Sequence, residues 1–558
     1  MSEIKKPWIC IHEAHDASCC IYYNDQFYFF EYEKISGDKH HHVLRKPHVS
    51  SEKRKSILNL IKAGDVPMSE ILGQRYIENT VTVSKILKMA EEQFGIPNDF
   101  ELFLHKGIQF CFDKEIINYE RLEEQKGNHH THHSLSALFQ SPYTEASVIS
   151  FDAGGDETFF QITKFEKGRM VTEKRNLFFG HAYNQAATAI PELQKTQYYD
   201  RSGKLMGLVA YGKSKRELVD MFVKTIYWPD NRMGAPIEHD KVLSEKNKRH
   251  EIKTDDLKLF LEKNPTSSAD IAASMQVAFE EIFLLEMESF DLNPHLPLIL
   301  TGGCALNVLL NERLRQSGWD VFVPPNPNDT GISHGALVER LLHEKQLSPG
   351  TYRYSSPFSG PKIEEDRFNT FRRCVRKRRP VMLTMKDFVR ILKTGHIVGL
   401  INDRGEIGPR ALGNRSIICD ASFPNMKETI NSKVKNREWF RPFAPACIQE
   451  EVSKYFVCDD TRHMDCMSFA VKVKDEYKEQ LQSITHVDGT ARLQSVRKEY
   501  NPFFHTLLTN FRGVLLNTSF NVQGSPILNS LEEAFGVLDN TELDYVVYHR
   551  DGKIYSWT

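Results

Sequence analysis

The sequence predicts an α/β chain of two domains, and three observations predict it. Short apolar strands ending in glycine or aspartate turns alternate with stretches of helical period. The strand–turn–strand opening has a partial echo near residue 150. Beyond residue 350 the texture changes to basic residues set among glycine and proline turns.

The elements follow in order. Trp8, Ile9 and Ile11 open an apolar run, and residues 19–23 and 27–32 are β-rich segments around the turn Asn24-Asp25. Residues 146–151 form a second apolar run that ends in Asp152-Ala153-Gly154-Gly155, with strand-like residues 157–163 behind it. A third run, residues 296–300, meets Thr301-Gly302-Gly303 and then a helical pattern through Leu306, Leu309, Leu310 and Leu314. Loops of such units converge on a ligand. Turn formers crowd residues 348–350 and 355–361, which places the domain boundary there and gives domains of 1–355 and 356–558. The basic run 372–379 has no interleaved aromatic to stack bases, so it reads as a solvated linker face rather than a nucleic-acid patch.

Composition narrows the function classes. A chain of 558 residues exceeds one hydrophobic core, and 40% apolar with 26% charged residues excludes a largely disordered protein. A net charge of −2 supplies no field toward nucleic acid or anionic lipid. Ten cysteines without a CxxC pair read as free thiols. The first residues lack a signal peptide's apolar core, and no apolar run reaches membrane-spanning length, so a cytoplasmic protein is expected.

Three constellations carry chemistry. In Asn128-His129-His130-Thr131-His132-His133, a helix puts His129 and His133 on one face, as two imidazoles on one metal ion require, while His130 points elsewhere. Two histidines need a further ligand; Asp329, in a loop between a strand over 320–323 and a helix from Ser333, qualifies, although spacing does not link it to them. A two-histidine–carboxylate set suits iron(II) or zinc. Glycine turns at 152–155, 202–207 and 301–303, one of them containing Lys204, allow backbone amides to approach a phosphate. Residues 403–416, 433–437 and 440–445 set Arg410, Arg415, Lys433 and Arg441 among rigid turns, where arginine forks match carboxylate, carbamate and phosphate oxygens. Two later loops, 485–492 and 517–521, add hydroxyls, amides and Arg492.

The segments HHTHHSLSALF, GKLMGLVAYG, LTGGCALN, PPNPNDTGISHGAL, GEIGPRALGNRSI, FRPFAPA, THVDGTARLQ and LLNTSFN resemble those of the NodU/TobZ family of carbamoyltransferases, in order, from about residue 129 to 521. The resemblance implies an actin-like, Kae1-like duplicated N-terminal domain that carries the metal and transfers the carbamoyl group. It further implies a YrdC-like α/β domain that makes carbamoyl-adenylate from carbamoyl phosphate and ATP. The implied metal ligands are His129, His133 and Asp329, with iron(II) as the metal and Mg²⁺ accompanying ATP. Arg410, Arg415, Lys433, Arg441, Arg492, Asn517 and Ser519 would hold carbamoyl phosphate and ATP, with Arg441 catalytic. Gly154, Gly155, Lys204, Gly302, Gly303 and Asn307 would lie against the adenylate. His15 and Asp16 match the family's HDAS segment near the acceptor, and either is a candidate general base, His15 by virtue of its near-neutral pKa. The implied partner is a small-molecule hydroxyl acceptor, such as a sugar, natural product or modified nucleotide; no membrane contact is expected, and the assembly expected, if any, is a homodimer.

The sequence departs from the family at His132, where a small residue is usual, at Ser134-Leu135, and in the glycine placement of the Asp152 turn. His40, His41 and His42 match no family motif. An actin-like small-molecule kinase is the competing enzyme, but it leaves the arginine-rich C-terminal part without a role. A nucleotide-binding module without catalysis predicts ATP turnover indifferent to carbamoyl phosphate. The missing HExxH glutamate argues against a metalloprotease.

Overall fold

A computed structural model describes residues 6–13, 16–39, 74–107, 117–125, 128–155, 158–227, 257, 259–347, 356–363 and 379–558. His15, His40–His42 and residues 372–378 of the basic run lie outside these. Among the described residues the chain is mixed α/β with three main sheets.

The first sheet is built from β1 (Trp8–Glu13), β2 (Ser18–Tyr23), β3 (Gln26–Glu31), β4 (Phe100–Gly107) and β5 (Tyr119–Glu124) in the order β3-β2-β1-β4-β5. The second uses β6 (Ala146–Phe151), β7 (Phe160–Glu166), β8 (Arg169–Arg175), β9 (Leu298–Thr301) and β10 (Val321–Phe322) in the order β10-β9-β6-β7-β8. Each sheet has three antiparallel strands followed by two parallel ones on the far side of the first. The echo in the sequence is therefore a duplication of topology. Turn chemistry accounts for the hairpins: Asn24 and Asp25 both have positive φ, as do Lys167 and Gly168 in the matching turn of the second sheet. Two-residue turns of that hand follow the right-handed twist of the strands they join.

Alternation along the strands decides what packs where. On one face of the first sheet Ile9, Ile11, Phe30 and Phe103 pack on α1 (Gln74–Phe94) through Ile86 and Ala90. Its other face, with Cys10, Phe29 and Leu104, shares a core with Val148 and Ile299 of the second sheet. Between them lie α2 (His129–Phe139) and α6 (Ile332–His343), through Leu135, Leu138, Leu337 and Leu341. The histidine-bearing helix is thus held between the two sheets. The far face of the second sheet packs Phe151 and Phe160 against α3 (Phe179–Thr188) and α4 (Ser268–Ser289). Helix α5 (Val308–Gln316) follows β9.

The third sheet contains β11 (Val381–Leu383), β12 (Val398–Asn402), β13 (Arg415–Asp420), β14 (Ala444–Ile448), β17 (Gln494–Val496), β18 (Leu515–Ser519), β19 (Tyr545–Arg550) and β20 (Lys553–Trp557). Their order is β11-β20-β19-β12-β13-β18-β14-β17; β15 (Ala470–Lys472) and β16 (Thr490–Arg492) form a separate ribbon. Two helices of this part start on capping boxes legible in sequence, Thr384 with Asp387 and Ser530 with Glu533. The described cysteines are free. Among the described residues no helix is long and apolar enough to cross a membrane.

Phe151 is fully buried and its ring meets those of Phe160, Phe179, Phe279 and Phe283 at 5.0–6.3 Å between centroids. Phe151→Ala is expected to cost about 3–5 kcal/mol, read as a lower urea midpoint.

Candidate active site

Asn128 begins the site. Its side-chain oxygen accepts the backbone N–H of His130 at 3.0 Å and caps α2. Helical spacing then puts His129 and His133 one turn apart on one face. Asp152 is the first residue beyond β6, and Asp329 opens the 3₁₀ turn that leads into α6. The four side chains converge. His129 Nε2 and His133 Nε2 are 3.1 Å apart; Asp329 Oδ1 lies 3.6 Å from the first and 3.3 Å from the second. Asp152 Oδ2 lies 3.5 Å from His133 Nε2. All four donors sit within 4.8 Å of one another. Ligands about 2.0–2.2 Å from one ion at ordinary coordination angles are about 2.8–3.6 Å apart, so the set fits a single metal ion. Two neutral imidazoles and two carboxylates balance a divalent charge and suit iron(II) or zinc.

The surroundings fix these donors. Asp152 Oδ1 accepts from Ala153 N–H at 2.6 Å and its Oδ2 from Gly303 N–H at 2.7 Å. Burial opposes the Asp152 carboxylate, but His133 and those two N–H groups prevail and hold its pKa below the ordinary value. Burial likewise draws the His133 imidazole down, yet Asp152 and Asp329 outweigh it and raise it to about 9. At His129 burial wins over Asp329 and keeps the pKa well below ordinary. The other two histidines anchor the helix: His130 Nδ1 meets Ser150 Oγ at 2.7 Å, and His132 Nε2 meets Glu339 Oε2 at 3.0 Å. Together these partners give each of the four histidines a position in the fold.

A cavity of about 390 Å³ opens from Asp152 and Asp329. The same cavity is lined by Arg410, Lys435, Arg437, Arg441 and Arg492. Burial first, then Arg441 and Arg437, draws Arg410 down to about 10. Arg437 and Arg492 are lowered by burial and by neighbouring arginines, and Lys435 by burial, Arg437 and Arg441. Glu438 offsets part of this charge, 3.5 Å from Arg441 and 2.5 Å from Lys204. Cations that depress one another in a shared cavity are a receptor for a multiply charged anion.

Most residues singled out in the sequence meet here. Asp16, Lys204, Gly303, Asn307, Arg410, Arg441, Arg492, Asn517 and Ser519 line the cavity with Asp152 and Asp329. Asp16 has φ +54° and its Oδ2 accepts from Asn328 Nδ2 at 3.1 Å. Gly154, Gly155, Gly302, Arg415 and Lys433 do not line it. Gly155 packs on the His130 ring. Gly302 has φ +87°, and a β-carbon there would overlap the Phe151 carbonyl. Arg415 is buried and donates to the carbonyls of Asn402, Asn414 and Asp403 at 2.7–3.0 Å. Lys433 turns outward, 3.8 Å from Glu542. A π-helical turn over Asn431–Lys435 sets that phase and turns Lys435 inward, where its ammonium donates to Ser519 O and Asn521 O, both at 2.7 Å. Sequence reasoning lists Lys435 and Arg437 without choosing them, and it treats Asp152 only as part of a turn. The signal for Asp152 is an aspartate closing an apolar strand.

A mixed α/β chain in which two carboxylates of a metal-donor cluster share one cavity with five buried or half-buried cations has the make-up of an enzyme site. Comparison with known proteins names the family. Residues 44–338 match the carbamoyltransferase N-terminus and residues 389–551 the carbamoyltransferase C-terminus, so the chain belongs to the carbamoyltransferase family, with nodulation proteins among its relatives. It is 28% identical over 534 residues to nodulation protein NolNO of Sinorhizobium fredii, covering 92% of this chain and 76% of the relative. It is 30% identical over 367 residues to the 3'-hydroxymethylcephem-O-carbamoyltransferase of Streptomyces clavuligerus, covering 64% of this chain and 65% of that one. A solved structure of HypF in its phosphate- and nucleotide-bound form aligns at a TM-score of 0.28 and 13% identity, over 63% of this chain and 48% of that one, a likeness too low to carry an argument.

His133→Ala and Asp152→Ala are each expected to lower divalent-metal affinity about tenfold or more, whereas Lys433→Ala leaves it unchanged. Equilibrium dialysis with metal analysis measures this.

Proposed function

We propose that the protein is an ATP-dependent O-carbamoyltransferase of two parts. Residues 356–558 would be a YrdC-like domain that forms carbamoyl-adenylate from carbamoyl phosphate and ATP. Residues 1–355 would be an actin-like, Kae1-like domain that passes the carbamoyl group to a hydroxyl of a small molecule or nucleotide in the cytoplasm. The observation that carries this reading is one cavity lined both by Asp152 and Asp329, the two carboxylates of the metal-donor cluster, and by Arg410, Lys435, Arg437, Arg441 and Arg492. An intermediate made among the cations needs only to shift to be consumed beside the carboxylates, out of bulk water. The duplicated strand order supports the actin-like assignment.

In this reading water cleaves carbamoyl phosphate to carbamate and inorganic phosphate, and a carbamate oxygen then attacks the α-phosphorus of ATP. Pyrophosphate leaves, and the carbamoyl group becomes a mixed anhydride with AMP. Arg410, Arg437, Arg441 and Arg492 hold phosphate oxygens and offset the charge that builds as the P–O bonds exchange. Lys435 keeps Ser519 and Asn521 in place beside them. Asp16 lies on the cavity with its carboxylate oriented by Asn328, and would take the acceptor's hydroxyl proton as the oxygen attacks the carbamoyl carbon, the C–O bond to phosphate breaks and AMP leaves. His129, His133, Asp152 and Asp329 would hold a divalent ion, iron(II) by resemblance, which supplies Lewis acidity toward the adenylate when bound.

The test is exchange of labelled pyrophosphate into ATP. Exchange should appear only with carbamoyl phosphate, fall about 100-fold or more in Arg441→Ala, and persist in His133→Ala, which should lose transfer instead. ADP formation without exchange would replace this assignment with a kinase.

A further inference from the structure

The loop that carries Arg410 is built from within and held from outside. From within, Glu406 Oε1 accepts the backbone N–H groups of Leu412, Asn414 and Arg415 at 2.7–3.0 Å. From outside, Lys34 of the short helix after β3 donates to Glu406 O at 2.9 Å and Gly408 O at 2.7 Å, and its third donor meets Glu31 Oε2 at 2.9 Å. The other oxygen of Glu31 accepts the Gly408 N–H. Both side chains are buried, and every donor of the ammonium is used.

The same glycine touches the metal side. Gly408 has φ +82°, and a β-carbon there would overlap the carbonyl of Pro325, in the loop that runs on to Asn328 and Asp329. One residue later, Pro409 and Arg410 line the cavity. Glu31, Lys34 and Gly408 do not line it. A buried ion pair stabilises no better than an apolar pair of equal volume. An apolar pair, however, could not bind two carbonyls and an N–H of a distant segment. The clasp therefore serves placement more than stability.

We propose that Glu31 and Lys34 are positioning residues that lock the Arg410 loop against the Asp329 loop, so that the cavity's cations and the metal donors keep one geometry. The link between the loops stands on the structure alone; its effect on substrate use rests on the carbamoyltransferase reading. Lys34→Met keeps the length of the side chain and removes its donors. Hydrogen-exchange mass spectrometry of the full chain should show residues 405–412 and 325–331 losing protection together, while residues 531–540 keep theirs. The KM for carbamoyl phosphate in pyrophosphate exchange should rise about tenfold or more with kcat changed much less. Gly408→Ala, which wedges the loops apart without touching a charge, should reproduce both effects. Should Lys34→Met fail to fold, the double variant Glu31→Gln, Lys34→Met removes both charges and is read in the same way. Unchanged protection, or loosening of residues 405–412 alone, overturns the proposal. If the wild type shows no exchange the carbamoyltransferase reading falls, and the paired protection still decides the clasp.

Discussion

Two carboxylates and two imidazoles brought within 4.8 Å of one another are the constraint on which the first half of the chain depends. Each carboxylate resists burial, and the pair repels unless a cation lies between them. The fold answers with two backbone N–H donors and an imidazole whose pKa the acids raise to about 9. Backbone N–H groups of Ala153 and Gly303 hold Asp152, and His133 sits against both acids. Such precision needs a rigid frame, which the two sheets supply by enclosing α2 and α6. His130 and His132, turned away from the centre, tie the helix to β6 and to α6.

The cations of the cavity pose the complementary problem. Four arginines and a lysine crowd the cavity with Glu438 as the acid beside them, and burial and mutual repulsion lower most of their pKa values. A folded protein tolerates such crowding where a ligand's negative charge relieves it. Lys204, which also lines the cavity, pairs with Glu438. The cavity thus holds both signs of charge, the carboxylates of Asp152 and Asp329 and a crowd of cations.

Much of the fold was legible because it rests on local chemistry. The turn at Asn24-Asp25, the apolar runs that became β6 and β9, and the helix after Gly303 all depend on residues close in sequence. Strands β4, β5 and β8 were not read. β8 and β5 alternate little between apolar and polar residues, and β4 is central only because β1 pairs with it in parallel. Parallel pairing joins segments far apart in the chain, and no local pattern encodes it.

By itself the sequence determined the spacing that places His129 and His133 on one helical face, the order of the glycine and arginine motifs, and the change of texture near residue 350. These are consequences of backbone geometry and residue chemistry over a few positions. Only the tertiary structure decided that Asp152 joins the metal donors, that Lys435 rather than Lys433 faces the cavity, and that Arg415 braces backbone carbonyls. It also decided that Glu31 and Lys34 reach the Arg410 loop. Each of these depends on the phase of a π-helical turn, the register of a sheet or the approach of distant loops, and those are set by packing across the whole chain.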